Sequence, residues 1–136
     1  MQVFLDANVL FSAAKSDGAI SQLLSLLERS GHQCWADSYV IEEARRNLVA
    51  KAPERMPVFV KLLSRVKAAS TLHVNRTLED SLPLPSKDRP VLAAAIHQNC
   101  DALVTGDRTH FGALYGRTIR GVAIHSPRSL AQVLLR

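Results

Sequence analysis

The stretch VFLDANVLFSA, residues 3–13, sets the reading of the whole chain. Met1 to Leu5 is a short apolar run, long enough for a strand buried on both faces and too short for a buried helix. It ends on a carboxylate, Asp6. An ionisable side chain placed directly after a buried strand is costly to desolvate unless an opposite charge meets it, so Asp6 reads as functional. Asn8 can cap a helix that begins at Val9, and a strand passing at once into a helix is the first unit of an alternating α/β chain.

The alternation continues outward from this unit. Ile20, Leu23, Leu24 and Leu27 repeat at helical spacing until Gly31 stops the helix. Gln33 to Ala36 reads as a second strand, and Ser38 as the N-cap of a helix through Ile41, Ala44 and Leu48. Pro53 and Pro57 punctuate the entry to another helix, whose apolar stripe is Val58, Phe59, Leu62, Leu63 and Val66. Thr71 to Val74 is expected as a third strand and Asn75 to Pro85, with Pro83 and Pro85, as a loop. Ser86 is expected to cap a helix carrying Val91, Leu92, Ala95 and Ile96 on one face. Ala102 to Thr105 and Val122 to Ile124 complete the strands, and Ser126 with Pro127 opens a closing helix.

Strands alternating with helices predict a parallel sheet covered on both faces, a three-layer α/β/α domain. Right-handed crossovers leave few topologies, of which 3-2-1-4-5 is expected. Its switch point lies between the first and fourth strands, and ligands bind there beyond the carboxyl ends. Asp6 follows the first strand and Asp107 the fourth, so two acids about a hundred positions apart become neighbours. Asp101 precedes the fourth strand and belongs at the opposite edge, as a structural residue.

Two further acids join them. On the second helix, Val40, Ile41, Ala44 and Leu48 define the buried side; Glu43 borders it, whereas Glu42 points away. Asp88 lies in the first turn after Ser86. Carboxylates gathered at one place repel one another, and a cation removes the conflict. All-oxygen ligation suits Mg²⁺ or Mn²⁺ rather than zinc, and no two of the five histidines make an HxxxH pair. A site of this kind holds phosphate oxygens and activates a water. Asn8 and Thr105 are candidates for supporting the acids. Arg45 and Arg46, Lys87 and Arg89, and Arg108 and His110 flank them as candidates for gripping a phosphodiester backbone.

Composition narrows the class. The 136 residues, 47% of them hydrophobic, suit one domain spanning 1–136. A formal charge of +5 favours a polyanionic partner. Aromatic content of 5% argues against the stacking platforms of RNA-recognition motifs and OB-folds. No apolar run reaches the roughly 20 residues of a membrane span, and no basic segment leads into an apolar one at the N-terminus; a cytoplasmic protein is expected. Cys34 and Cys100 lack zinc spacing and read as reduced, buried thiols.

The motifs themselves resemble the PIN (PilT N-terminus) domain family. VFLDANVLFSA is similar to its opening strand and turn, SYVIEEARRNL (38–48) to its second acidic helix, SKDRPVLAAAI (86–96) to its third motif and DALVTGDRTHF (101–111) to its fourth. Carried over by position, the motif acids fall on Asp6, Glu43, Asp88 and Asp107, the four already singled out. The resemblance implies a Mg²⁺- or Mn²⁺-dependent endoribonuclease with one or two ions. Among short members it implies a VapC-like toxin, acting on RNA, forming a homodimer and silenced by an antitoxin protein. Pro85 and Thr109 stand where some members carry further acids. Two other readings stay open: a non-catalytic PIN-like module that binds RNA or protein, and an RNA-processing nuclease outside any toxin–antitoxin pair. Phosphotransfer domains on a similar sheet need a second Asp where Asn8 stands, or a phosphoacceptor after the third strand, and neither is found.

Overall fold

The computed structural model describes residues 1–70 and 75–136. Its centre is a six-stranded sheet in the order β3-β2-β1-β4-β6-β5. The strands are β1 (Gln2–Leu5), β2 (Gln33–Ala36), β3 (Lys67–Ala68), β4 (Ala102–Val104), β5 (Thr118–Ile119) and β6 (Val122–His125). All neighbours pair in parallel except β5 and β6, which form an antiparallel hairpin. The five-strand order expected from the sequence is present, with β6 in the fifth place and β5 added outside it at the edge. The hairpin turns at Arg120 and Gly121, both at positive φ, so its reversal needs backbone that only a tight turn supplies.

Helices flank the sheet: α1 (Ala7–Lys15), α2 (Ala19–Arg29), α3 (Ser38–Lys51), α4 (Met56–Leu63), α5 (Arg76–Ser81), α6 (Arg89–His97), α7 (Arg108–Phe111) and α8 (Pro127–Leu134). Helix α1 packs against α2, α3 and α4; α2 also packs on β2 and α8, and α6 on β4 and α5. Val3, Phe4 and Leu5 in β1 and Leu103 and Val104 in β4 are completely buried, as central strands of a covered sheet must be.

Several local expectations are corrected. The first helix is two helices, broken at Ser16–Gly18, where Gly18 is the N-cap of α2. Gly31 does end α2: at φ +81° it lets His32 N reach back to Leu27 O at 2.9 Å. Val66 falls beyond α4, and the described third strand is Lys67–Ala68; the strand expected at 71–74 lies outside the described residues. Within the expected loop 75–85, Arg76–Ser81 is helical because Asn75 caps it, accepting from Leu78 N at 3.0 Å, and both prolines come after its end. Ser126 caps α8 as expected, with Pro127 in its first turn.

Candidate metal centre

The pairing of Leu5 with Val104 builds the site. One residue later, β1 presents Asp6 and β4 presents Thr105, side by side at the carboxyl ends. Asp6 N still donates to Val104 O at 3.1 Å, extending the ladder by one step. Asp6, not Asn8, is the N-cap of α1: its Oδ1 accepts from Ala7 N at 2.7 Å. Its Oδ2 accepts from Thr105 Oγ1 at 2.8 Å and from Asn8 Nδ2 at 3.3 Å.

Thr105 is completely buried and uses its whole hydroxyl. Besides donating to Asp6, Oγ1 accepts from Asp107 N at 3.1 Å and from Asn8 Nδ2 at 3.3 Å, which fills the one donor and two acceptor positions a hydroxyl has. Asn8 closes the link from the other side, its Oδ1 accepting from Gly106 N at 2.8 Å. Gly106 keeps this approach uncrowded: a Cβ would come within 3.3 Å of Asn8 Oδ1, so the amide would have to give by a few tenths of an ångström. The supporting roles expected of Asn8 and Thr105 therefore have a concrete form, a clasp joining the tips of β1 and β4.

Asp107 caps α7, Oδ1 accepting from His110 N at 3.1 Å. Its Oδ2 remains free of that duty and lies 3.0 Å from His110 Nδ1. Asp88 precedes α6 but makes no side-chain cap bond, and Ser86 is not the cap. The Asp88 carboxylate turns instead to His110, with Oδ2 2.8 Å from Nδ1. These short contacts lack hydrogen-bond alignment, so Asp88 Oδ2 and His110 Nδ1 are buried atoms without a well-formed partner. Among the described residues, Asp88, Asp107 and His110 form a group whose donor atoms all lie within 4.8 Å of one another.

Asp6 and Glu43 stand outside that compact group yet share its field. Burial pushes the Asp6 carboxyl up to about 6, and the negative charges of Glu43 and Asp88 push the same way against the bonds from Thr105 and Ala7. Burial also raises Asp88, joined by the charge of Asp107 and opposed by His110 and Lys87. Tyr39, whose hydroxyl donates to Lys87 O at 2.7 Å, is raised by burial and then by Glu43, Asp88 and Asp6. All four sequence-selected acids thus gather at one end of the sheet.

The donor set fits a divalent cation. Two buried carboxylates, Asp6 and Asp88, and two half-buried ones, Glu43 and Asp107, share one field, and a buried oxygen and nitrogen lack aligned hydrogen bonds. A model of the PIN domain matches residues 2–109. The chain belongs to the PIN domain family. The structure is similar to a chain of VapBC2 from Rickettsia felis, solved bound to a DNA fragment from their promoter, with TM-score 0.66 and 20% identity over 93% of this chain and 98% of that one. A chain of VapBC-1 from nontypeable Haemophilus influenzae gives 0.58 and 16%, covering 94% and 99%. A chain of FitAB, bound to the IR36 DNA fragment, gives 0.52 and 15%, covering 92% and 94%. No curated protein matches the chain significantly.

In this PIN domain the basic residues divide. Arg45 pairs with Glu42 at 2.7 Å and lies over the Phe59 ring. Arg89 is tied inward, Nε donating to Leu84 O at 2.8 Å. Arg46, Lys87 and Arg108 are exposed, with Arg46 near Tyr39 and Lys87 near Asp88. His110 sits among the acids rather than on the rim. Asp101 is at the opposite edge as expected, Oδ2 accepting from Gln2 N at 2.7 Å.

Two residues outside the expected set also bear on this end of the sheet. Tyr115 donates to Thr105 O at 2.7 Å, bracing the end of β4 from ten positions away. Asp37, buried after β2, caps α3 in place of Ser38 and accepts from Val40 N at 3.1 Å. Its place after a buried strand is the same signal that marked Asp6.

Proposed function

We propose that this PIN domain is a Mg²⁺- or Mn²⁺-dependent endoribonuclease and the toxin of a toxin–antitoxin pair, residues 1–136 acting as one unit. The observation that carries it is the gathering of Asp6, Glu43, Asp88 and Asp107 from four segments at the carboxyl ends of β1 and β4, with Asp6 held near 6 by burial and its neighbours' charge. Such an arrangement is costly for a metal-free fold and useful for a metal site. Asp6, Asp88 and Asp107 would hold one or two ions, with Glu43 as a direct or water-bridged ligand. The metal would supply positive charge to phosphate oxygens and an acidified water.

The remaining work falls to the chain. Thr105 and Asn8 orient Asp6; exposed Arg46, Lys87 and Arg108 hold the backbone of an RNA strand, with the charge of +5 assisting its approach. The VapBC and FitAB likenesses support a cognate antitoxin as partner; a homodimeric toxin working in the cytoplasm belongs to the same proposal. No described helix is long and apolar enough to cross a membrane.

The test is RNA cleavage by purified wild type and Asp6→Asn in Mg²⁺ or Mn²⁺. The variant should lose at least about a hundredfold in rate while keeping its circular dichroism spectrum. Cleavage by Asp6→Asn at the wild-type rate removes the assignment.

A further inference from the structure

His110 was a candidate for phosphate contact, but its side chain is only 26% exposed and Nδ1 points at the acids. The ring is placed by the chain itself. Asp107 Oδ1 takes the backbone N–H of His110, and the single turn of α7 then carries Nδ1 to 3.0 Å from the other oxygen of the same carboxylate. On the far side Nδ1 is 2.8 Å from Asp88 Oδ2.

These separations suit donors that share one cation as well as they suit an ion pair, whose charge-assisted contacts run at about 2.7–2.9 Å. Around a small octahedral cation with ligands at about 2.1 Å, adjacent donors are about 3.0 Å apart. Nδ1 stands at that edge length from both carboxylates. An ion pair would align a ring N–H with one oxygen, yet Nδ1 and Asp88 Oδ2 are buried with no aligned partner. Resting on the metal-site reading above, we infer that His110 Nδ1 is a direct ligand beside Asp88 and Asp107, making the centre a mixed nitrogen and oxygen site that selects Mn²⁺ over Mg²⁺.

The selectivity follows from donor chemistry. Mg²⁺ is hard, gives up water reluctantly and is served by oxygen, whereas imidazole is a good donor to transition metals. One nitrogen among carboxylates therefore separates the two ions where an all-oxygen set would separate them less.

The experiment is Mn²⁺ binding to the wild-type chain and to His110→Ala, followed by loss of the free-ion electron spin resonance signal, with Mg²⁺ as competitor. Electron spin-echo modulation on bound Mn²⁺ gives a readout independent of activity. The wild type should show ¹⁴N coupling from a bound imidazole and need a large excess of Mg²⁺ to release Mn²⁺. His110→Ala should lose the coupling and bind Mn²⁺ at least about tenfold more weakly. Bound Mn²⁺ without ¹⁴N coupling in the wild type, or equal affinity in a folded His110→Ala, overturns the inference and leaves the nuclease reading intact. The wild-type spectrum decides even if the variant does not fold. Failure to bind Mn²⁺ at millimolar concentration overturns both readings, whereas ¹⁴N coupling in a protein that cuts no RNA overturns the nuclease reading alone.

Discussion

At the tips of β1 and β4, Asp6 has both carboxylate oxygens in hydrogen bonds and its partner Thr105 has none of its capacity left over. At α6 and α7, Asp88 Oδ2 and His110 Nδ1 are equally hidden from water and have no aligned partner. The first region holds an acid in place with groups that belong to the fold. The second holds its groups by charge, without aligned hydrogen bonds. Side chains satisfied by the chain give position, and side chains left unsatisfied give affinity for something added. A metal site needs both, because its ligands must be held before the ion arrives.

The largest expected effect is on the charge at the first region, measured in chelator. The Asp6 carboxyl is raised from 3.8 to about 6 in the folded chain. Between those values the folded state keeps a proton that the unfolded state has released, so folding stability falls as pH rises through the window. The loss amounts to roughly 3 kcal/mol for this one group. Asp6→Asn has no such proton to lose. Its urea midpoint, relative to wild type, should rise between pH 4 and pH 7.5, making the variant the more stable protein at neutral pH. An unchanged difference between the two proteins across that range would mean Asp6 carries no strained charge.

A smaller effect separates scaffold from ligand. Thr105→Val keeps the shape but strips the hydroxyl, leaving Asp6 Oδ2 with only the longer Asn8 bond and Asp107 N unpartnered. Stability should drop by about 1–3 kcal/mol in chelator. Asp88→Asn, which breaks no aligned hydrogen bond of Oδ2, should cost less in the same melt and more in Mn²⁺ affinity. Equal losses of stability would erase the distinction between the two regions.

This contrast marks the limit of what the residues reveal in order. The β1 and β4 tips were legible because an apolar run ending in an acid has few alternatives once the strands are parallel, and the same logic placed Asp101 at the other edge. The acids of the second and third motifs were found by helical sidedness and position. Asn8 and Thr105 were legible as supports, but their joint geometry was not, since Thr105 meets Asp6 across 99 positions and Tyr115 meets Thr105 through a backbone oxygen. Asn8, Ser38 and Ser86 all looked like caps by composition, but the preceding acids Asp6 and Asp37 took the first two places and Asp88 the third without using its side chain. His110 could have been read: it lies three positions after Asp107 at the start of a short helix, where the two share a face. Helix α5 was hidden by Pro83 and Pro85, which end a segment as readily as they break one.

The smallest effect tests how tightly the clasp closes. At Gly106 an added methyl meets Asn8 Oδ1 at 3.3 Å, close enough that the amide must give by a few tenths of an ångström. Gly106 is not at positive φ, so alanine suffers no backbone strain there and should gain about 0.4–1 kcal/mol through the unfolded state. In the wild-type background the crowding offsets that gain, and Gly106→Ala should be close to neutral. Removing the obstacle with Asn8→Ala, itself destabilising because Gly106 N loses its acceptor, should make the same alanine stabilising. The coupling in this double-mutant cycle should exceed about 0.5 kcal/mol. Strict additivity would show that the Asn8 amide moves freely enough to clear the added methyl.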